Sequence, residues 1–540
     1  MLTFDAPLSD ASRARRAFAV VACVTLAARA LLAAGLPITG DEAYFFWWGK
    51  FPDWGFYDHP PMVGWWLAAL AKLSWHPFVL RLPALLVPLA VAGLAVACVR
   101  RHGEALAWVA GTLVLLAPLN VWNVAITTDI PLMLFAFAAV AALLRALRTG
   151  RAADYLLAGV LLGGALLSKY FAGMLALGIA AALVARPTRA RLAGLGWVVA
   201  GSVPAAALQV AWNAQNCWPN LMFNLVNRHG DAGWSWKNPP LYLVSLAYVL
   251  IPAVAWALAR RAAGRGDESA AGATAAGAGD EGARPTGAGG AAAASAEQSR
   301  EARRALAWIA GVPFALFALM SAGKTVGLHW LASFVAPAIV LFALGAGERA
   351  LRGALRFGAV LALVHYAVLA GLWLAPLEWF KSSRSYDGLV MTLRPQALNE
   401  KIAPYLDRFE IAANGYSPAV TIGFNLKRYV FVFGPASSHA RHDDILTDFR
   451  RLDGRDILVI RKERPEPENY APYFERVEYR EVDVLGATFH FVEGRGFRYA
   501  AYRDAVLDEA RRRWYAVPAW LPAGPCYFCD RYFPDRSCHR

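Results

Sequence analysis

Residues 17–48 read AFAVVACVTLAARALLAAGLPITGDEAYFFWW. The first twenty of them form an apolar run, interrupted only by Arg29, that is long enough to cross the hydrocarbon core of a bilayer as a helix. An acidic pair and a group of aromatic residues follow it at once. Three arginines precede the run and no small-residue cleavage site follows it, so we predict a retained membrane-spanning helix and not a removed signal peptide.

Apolar runs of similar length recur along the chain up to residue 375. The 540 residues are 57% hydrophobic and 17% charged, whereas about a quarter of the residues of a soluble globular protein are charged. We predict eleven membrane-spanning helices, at residues 17–36, 82–99, 104–121, 131–147, 153–168, 170–185, 193–212, 241–259, 305–321, 330–346 and 357–375. The predicted fold class is therefore a polytopic α-helical membrane protein.

The placement of arginine predicts the orientation of these helices. Arginines cluster in every second loop, within residues 13–16, 100–101, 145–151, 186–191, 260–261 and 349–356. Cytoplasmic loops carry such an excess of basic residues, so residues 1–16 are predicted to be cytoplasmic and the chain after residue 376 to lie outside. The same placement accounts for the formal net charge of +14, and no nucleic-acid partner is expected.

Three segments outside the predicted spans have compositions of their own. Residues 37–81 form a long first outer loop, whose stretches 41–50 and 60–74 are rich in Trp and predict short helices in the membrane interface. Residues 262–300 are rich in Ala, Gly and Ser, which predicts a disordered cytoplasmic linker. Residues 376–540 alternate β-branched and aromatic residues between turn signals, which predicts a small soluble α/β domain on the outer face.

The end of this last segment contains the pattern Cys526-x2-Cys529-x8-Cys538-His539. In an oxidising compartment outside the cytoplasm, such cysteines favour one disulfide. A zinc site is the alternative, although the spacing is tight for one.

Polar residues near the predicted helix ends collect on one face of the membrane. The cytoplasmic loops offer almost nothing but arginine, whereas carboxylates, imidazoles, amides and isolated basic residues fall on the outer side. Charges at this depth are costly without a partner or a task, so their convergence indicates a functional site. The set comprises Asp41, Glu42, Asp58, His59, Thr128, Asp129, Ser168, Lys169, Asn213, Arg228, His229, Lys324 and His329.

Each of these residues also has a purely structural interpretation. The acidic pair after the first run can cap a helix, and Asp58, which precedes two prolines, can start one. Asp129 can cap the next span, and Lys169 can extend its ammonium towards water from a tight turn. Arg29 can do the same or pair with an outer carboxylate. Their joint confinement to one face is the stronger observation.

In this arrangement the motifs of the chain resemble those of the ArnT-like and protein-mannosyltransferase-like glycosyltransferases of the GT-C superfamily. The match runs in order over residues 15–375, and the set of motifs is more specific than any one of them. The motifs are GDEAY (40–44), YDHPPM (57–62), TDIP (128–131), LSKY (167–170), WNAQN (212–216), Arg228-His229 and KTVGLHW (324–330). The linker at 262–300 and the cysteine-containing tail are not part of the family pattern.

The resemblance implies a transmembrane catalytic domain at residues 17–375 and a polyprenyl-phosphate-linked sugar as donor. It also implies a bacterial inner-membrane location and transfer with inversion on the periplasmic face. Asp41 would take the role of the essential acid in the first outer loop, and Lys169 would contact the donor phosphate. The acceptor implied is lipid A or another glycan of the cell envelope, and membrane lipids surround the protein.

Chemistry divides the candidate residues into three groups: catalytic, phosphate-binding and supporting. Carboxylates can position or deprotonate an acceptor, so the catalytic candidates are Asp41, Glu42, Asp58 and Asp129. Cationic groups can stabilise the phosphate as it leaves, so the phosphate-binding candidates are Lys169, Arg228, His229, Lys324 and His329. The supporting candidates are His59, Tyr57 and Tyr170. No cofactor is certain; a divalent metal is the alternative to direct acid–base work, although the spacing matches no metal motif.

Two other classes of function fit a protein with many spans. A flippase or transporter of lipid-linked sugars should show related halves and charges near the middle of the bilayer, and neither is found in the sequence. A membrane-anchored binding protein that works through its outer C-terminal domain would leave Asp129 and Lys169 without a role. We therefore expect a glycosyltransferase, with the flippase as the alternative.

Overall fold

The computed structural model describes residues 10–227, 233–263, 287–434, 442–536 and 538, with residues 287–295 described by their backbone alone. Helices dominate up to residue 374. In chain order they are α1 Ala11–Gly35, α2 Gly40–Lys50, α3 Met62–Leu73, α4 Pro77–Leu80, α5 Leu82–Val99, α6 Glu104–Leu116, α7 Pro118–Trp122, α8 Asp129–Thr149, α9 Ala152–Leu166, α10 Ala172–Val184, α11 Arg189–Ala214, α12 Pro219–Leu221, α13 Asn238–Val249, α14 Pro252–Ala262, α15 Gly287–Ser321, α16 Ala332–Ala343 and α17 Glu348–Leu374.

Six helical segments of the described chain are long and apolar enough to cross a membrane. They are α1, the run Pro77–His102, α8, α11, residues Ala296–Ser321 of α15, and α17. Of an apolar stretch of 18 residues within α17, only 11% is buried inside the protein. Side chains such as Leu363, Val368 and Leu372 are exposed. An apolar face of this extent is unfavourable in water and favourable in lipid. The chain is a membrane protein.

The predicted count of eleven spans is not confirmed. Helices lie at all eleven predicted positions, but α6, α9, α10 and α16 are shorter than the six segments above. The 13 residues of α6 rise about 20 Å, against about 30 Å of hydrocarbon. Proline explains two of the differences, because it cannot donate a hydrogen bond within a helix. The span predicted at 104–121 ends before Pro118, and the one at 241–259 bends by 114° before Pro252.

The chain after residue 376 contains a five-stranded mixed sheet. Its strands are β1 Glu410–Ala413, β2 Phe431–Val432, β3 Ile457–Arg461, β4 Phe474–Val484 and β5 Ala487–Phe497, in the order β2-β1-β3-β5-β4. The strand β1 is parallel to β2 and β3, and β5 is antiparallel to β3 and β4. The helices of this part are α18 Tyr386–Leu393, α19 Pro395–Ile402, α20 Tyr416–Leu426, α21 Asp443–Leu446, α22 Tyr499–Tyr502, α23 Asp508–Trp514 and α24 Tyr527–Tyr532.

Helix α2 lies between α3 and α20, which joins the first loop to the sheet-containing part. The Phe46 ring packs edge-on against Phe424 of α20 at 4.9 Å, and the Trp48 ring stacks on Phe56 at 4.3 Å. Phe46 and Trp48 are fully buried. The prediction that residues 41–50 lie in the membrane interface is therefore wrong for α2, because its aromatic side chains fill a protein core.

Two further predictions differ from the structure. Residues 264–286 of the predicted linker lie outside the described residues, but α15 begins at Gly287, so the linker does not extend to residue 300. In the tail, the cysteine pattern predicts one disulfide and two are present. Cys529 pairs with Cys538, and Cys526 pairs with Cys217, which follows α11 and lies 309 residues away in sequence.

Candidate active site

Thr39 and Glu42 set the start of α2 and decide which of the two adjacent acids is available for chemistry. The Thr39 hydroxyl accepts from the Glu42 N–H (3.3 Å), and the Glu42 carboxylate accepts from the Thr39 N–H (3.1 Å). This reciprocal capping box satisfies the free donors of the first turn. It places Glu42 on the inner side of the helix and leaves Asp41 on the exposed side.

Glu42 is completely buried and bound by Arg81. The Arg81 Nε and Nη2 donate to the two carboxylate oxygens, both at 2.7 Å. The remaining Arg81 N–H groups donate to the carbonyl oxygens of residues 33, 36 and 37, and the Ile126 N–H also donates to Glu42. The catalytic role predicted for Glu42 is not supported by this geometry, because its oxygens are saturated inside the protein.

Asp41 lines a cavity of about 520 Å³ where the first loop meets α7, the start of α8, the turn after α9, the turn before α16, and α20. A cavity of this size is typical of a ligand site. Seven residues of the set predicted from the sequence meet there: Asp41, Asp58, His59, Thr128, Asp129, Lys169 and His329. The other lining residues are Tyr44, Phe45, Leu119, Trp122, Asn123, Thr127, Phe223, Leu328 and Tyr416.

Asp129 and Lys169 form a buried ion pair in the wall of this cavity. The Lys169 ammonium donates to both Asp129 oxygens, at 2.8 and 2.9 Å, and each residue is less than a tenth exposed. The carboxylate thus binds a cation and does not cap α8, and the lysine does not extend into solvent. An ammonium has three N–H donors, so Lys169 retains capacity for an anion in the cavity.

Two tyrosines contact two other carboxylates of the lining, Asp41 and Asp58. The Tyr416 hydroxyl donates to Asp41 (3.3 Å), and the Tyr44 hydroxyl donates to Asp58 (3.2 Å). Burial raises the pKa of both tyrosines, and the nearby carboxylates raise it further. Both phenols therefore stay protonated and act as donors. The His59 Nε2 lies 4.0 Å from Asp58.

A second cavity of about 460 Å³ lies beside the first and is more apolar. The two are adjacent along the chain at three places, because residues 169, 223 and 329 line the first and residues 170, 224 and 330 line the second. Three predicted residues, Tyr170, Asn213 and Lys324, line this second cavity and not the first. Its other residues are Phe171, Gln209, Val210, Trp218, Asn220, Leu221, Asn224, Leu225, Met320 and Trp330.

The remaining predicted residues lie elsewhere. Tyr57 is buried behind the first cavity, where its N–H donates to Nδ1 of His442 (3.3 Å) and its hydroxyl accepts from Asn227 (3.2 Å). Arg228 and His229 fall outside the described residues. Arg29, which has two interpretations in the sequence, adopts neither: its guanidinium donates to the carbonyl oxygens of residues 84 and 123.

Sequence reasoning missed Tyr416 and Asn220. Tyr416 lies 375 residues from Asp41 in sequence, and no local pattern relates the two. Asn220 has an uncharged side chain, and its relation to the first loop follows only from the fold. The one available signal was the run of amides at 213–220, of which only Asn213 entered the predicted set.

The acids and histidines of the first cavity do not gather as a metal cluster. Within the described chain, the one group of three ligand-type atoms inside 4.8 Å is formed by Cys217, Cys526 and Cys538, and these sulfurs belong to disulfides. Asp129 is already bound by Lys169.

Residues 58–212 match the family described as dolichyl-phosphate-mannose-protein mannosyltransferase. The chain is also 27% identical to the lipid A galacturonosyltransferase RgtD of Rhizobium johnstonii, over 42% of this chain and 50% of that protein. It thus spans about half the length of this curated relative.

Two solved structures from Archaeoglobus fulgidus are similar to this chain at lower sequence identity. The oligosaccharyltransferase in its apo form gives a TM-score of 0.38 at 15% identity, over 77% of this chain and 64% of that one. The oligosaccharyltransferase AglB in complex with an inhibitory peptide and a dolichol-phosphate gives 0.38 at 14% identity, over 88% and 74%. The family and the curated relative confirm the resemblance of the chain to the ArnT-like and protein-mannosyltransferase-like glycosyltransferases of the GT-C superfamily.

Proposed function

We propose that the chain transfers a sugar from a polyprenyl phosphate to lipid A or another glycan of the cell envelope. The observation that carries this proposal is the first cavity, in which the exposed carboxylate of Asp41 shares one space with the buried Lys169–Asp129 pair. Transfer from a lipid phosphate needs a group that deprotonates or orients the acceptor and a cation that stabilises the leaving phosphate. The cavity contains both.

The cation stabilises the leaving group. As the bond between the anomeric carbon and the phosphate oxygen breaks, the electron pair of that bond passes to the oxygen, and negative charge develops on the phosphate. Lys169, held by Asp129, is a preorganised donor for this charge, and such donors contribute most when they need no rearrangement. Lys324 in the adjacent cavity is a second cation for the same phosphate.

The carboxylate prepares the acceptor. Asp41 takes the proton of an acceptor hydroxyl while the oxygen bonds to the anomeric carbon, or orients an acceptor that is already anionic. The Tyr416 hydroxyl holds Asp41 by one hydrogen bond. Attack on the face opposite the leaving phosphate inverts the anomeric configuration in a single step. Asp58 and His59 line the same space and contact the sugar.

The second cavity accommodates the lipid part of the donor. Its surface is largely apolar, with aromatic side chains such as Phe171, Trp218 and Trp330, and it lies beside Lys169. A polyprenyl chain in this groove would deliver its phosphate to the lysine. The arginine-rich loops support a site on the periplasmic face of a bacterial inner membrane. The lipid A acceptor named for RgtD supports the choice of acceptor class.

Mass spectrometry of envelope glycolipids tests this function in cells. A strain that lacks the gene should lose one sugar from a glycolipid, and the wild-type chain should restore it. Asp41→Asn should not restore it at equal expression, whereas Asp407→Asn should, since Asp407 is exposed on the C-terminal part. An unchanged glycolipid profile in the deletion strain would contradict the proposal.

A further inference from the structure

The turn that follows α11 has an unusual backbone held by the end of the chain. Cys217 and Trp218 have φ angles of 67° and 55°, a left-handed conformation that residues with a Cβ seldom adopt. Two such residues in succession persist only where surrounding contacts impose them. Here Cys217 is bonded to Cys526, and its N–H donates to the Pro525 carbonyl oxygen (3.1 Å).

Further contacts fix the same turn between the tail and α11. The Trp218 indole N–H donates to the carbonyl oxygen of Pro522 (2.9 Å), and its backbone N–H donates to the carbonyl oxygen of Asn213 (2.8 Å). Gly524 lies so close to Ala214 that an added Cβ would stand 2.5 Å from its carbonyl oxygen. The tail and the turn therefore fit together as one unit.

Asn220 transmits the position of this turn to the first loop. Its side-chain amide donates to the carbonyl oxygens of Tyr57 (2.9 Å) and Phe56. Its own oxygen accepts from the Asn213 amide (3.2 Å) and from the Tyr170 hydroxyl. Asn220 is 1% exposed. With every side-chain donor and acceptor engaged, it has one possible orientation.

The two carbonyl groups bound by Asn220 immediately precede Asp58 and His59. Both of these side chains line the first cavity. We propose that Asn220 is a positioning residue for the Asp58–His59 segment, and that the Cys217–Cys526 disulfide fixes it in place. This inference rests on the proposed function only in that the segment it positions is assigned to sugar binding.

Hydrogen exchange measures the position of this segment without reference to activity. The Phe56 N–H donates to the His59 carbonyl oxygen (3.0 Å), and the Tyr57 N–H donates to Nδ1 of His442 (3.3 Å), so both amides report on the loop. Asn220→Ser, which removes the amide donors, should speed their exchange by at least about tenfold. The double variant Cys217→Ala/Cys526→Ala should do the same.

The second tail disulfide supplies a matched control. Cys529→Ala/Cys538→Ala removes a disulfide from the same tail but leaves the 217–220 turn intact, so exchange at residues 56 and 57 should stay within about twofold of wild type. Where the first double variant fails to fold, mild phosphine reduction of the Cys529→Ala/Cys538→Ala protein, which retains only the Cys217–Cys526 disulfide, followed by exchange, tests the same bond. Unchanged exchange in Asn220→Ser and after reduction would overturn the inference.

Kinetics separate a positioning role from a general loss of structure. Asn220→Ser should lower kcat by at least about tenfold, because small displacements of reacting groups cost this much. Its KM for the lipid donor should change by less than about threefold, because Lys169 and the side chains other than Asn220 that line the second cavity are retained. A wild-type protein without transfer activity but with a protected loop would contradict the proposed function alone. An active protein whose variants match wild type in exchange and kcat would contradict this inference alone.

Discussion

Replacement of Arg81 by methionine should destabilise the protein strongly while leaving the lining of the first cavity in place. All five guanidinium N–H groups are used: two on Glu42 and three on the carbonyl oxygens of residues 33, 36 and 37. Arg81 and Glu42 are 1% and 0% exposed. Methionine would leave the Glu42 carboxylate buried and without its cation.

The magnitude follows from the burial of the pair. Removal of one partner of a buried ion pair costs about 3–5 kcal/mol, because the other charge stays desolvated. At about 2–4 °C per kcal/mol, as in large soluble domains, the unfolding midpoint should fall by ~6–20 °C. Lysine should not rescue it, because an ammonium has three donors and no planar fork.

Thermal unfolding in detergent, followed by tryptophan fluorescence, measures this midpoint. The double variant Arg81→Met/Glu42→Met removes both charges and should recover part of the loss. A midpoint within about 2 °C of wild type for Arg81→Met would refute the structural role of the pair. So would a Glu42→Gln protein that keeps its midpoint and loses all transfer, since Glu42 would then act in the chemistry.

Four further substitutions test the first cavity and its surroundings. Lys169→Met should lower kcat/KM for the lipid donor by about 100-fold or more, and Asp129→Asn should lower it by about tenfold, because Lys169 loses its partner. Both values are measured with labelled donor. Equal rates in wild type and the two variants would show that Lys169 does not act on the donor phosphate. Tyr416→Phe removes a hydrogen bond to Asp41 worth about 1 kcal/mol, so kcat should fall about fivefold without a change in the unfolding midpoint. An unaltered kcat would show that Asp41 does not need this hydrogen bond. Burial lowers the pKa of His442 to about 3, so below pH 6.5 the unfolded chain binds a proton that the folded one does not. Stability should then decrease by about 1.4 kcal/mol per pH unit between roughly pH 6 and 3. His442→Gln should flatten this slope in unfolding scans at pH 7 and 5, and a slope equal to that of wild type would assign it to other groups.

The helices and several residues that line the first cavity could be predicted because both depend on local signals. Apolar runs predict helices, and the alternation of arginine-rich loops assigns Asp41, Asp129 and Lys169 to one face of the membrane. Their structural interpretations could not be excluded from the sequence. The structure excludes all three, since Thr39 caps α2 in place of Asp41, and the buried side chains of Asp129 and Lys169 bind each other.

Other features could not be predicted because they depend on pairs of residues far apart in the chain. Glu42 and Asp41 are adjacent in sequence, and the capping box with Thr39 turns Glu42 inward. Its buried partner Arg81 lies 39 residues later, and the sequence does not show that the two meet. The partner of Cys526 lies in the helical part, so a local spacing argument within the tail could not find it. The predicted span at 104–121 is longer than α6 because the apolar composition continues past Pro118, where the helix is interrupted.

The central claim is that Asp41 and Lys169 act on one sugar–phosphate bond in the first cavity. Purified protein in lipid vesicles, supplied with labelled polyprenyl-phosphate sugar and lipid A, tests it most directly. Wild type should move the label to lipid A, whereas Asp41→Asn should retain the donor and form no product. Label that crosses the vesicle membrane without transfer, or product formed by Asp41→Asn at the wild-type rate, would contradict the account.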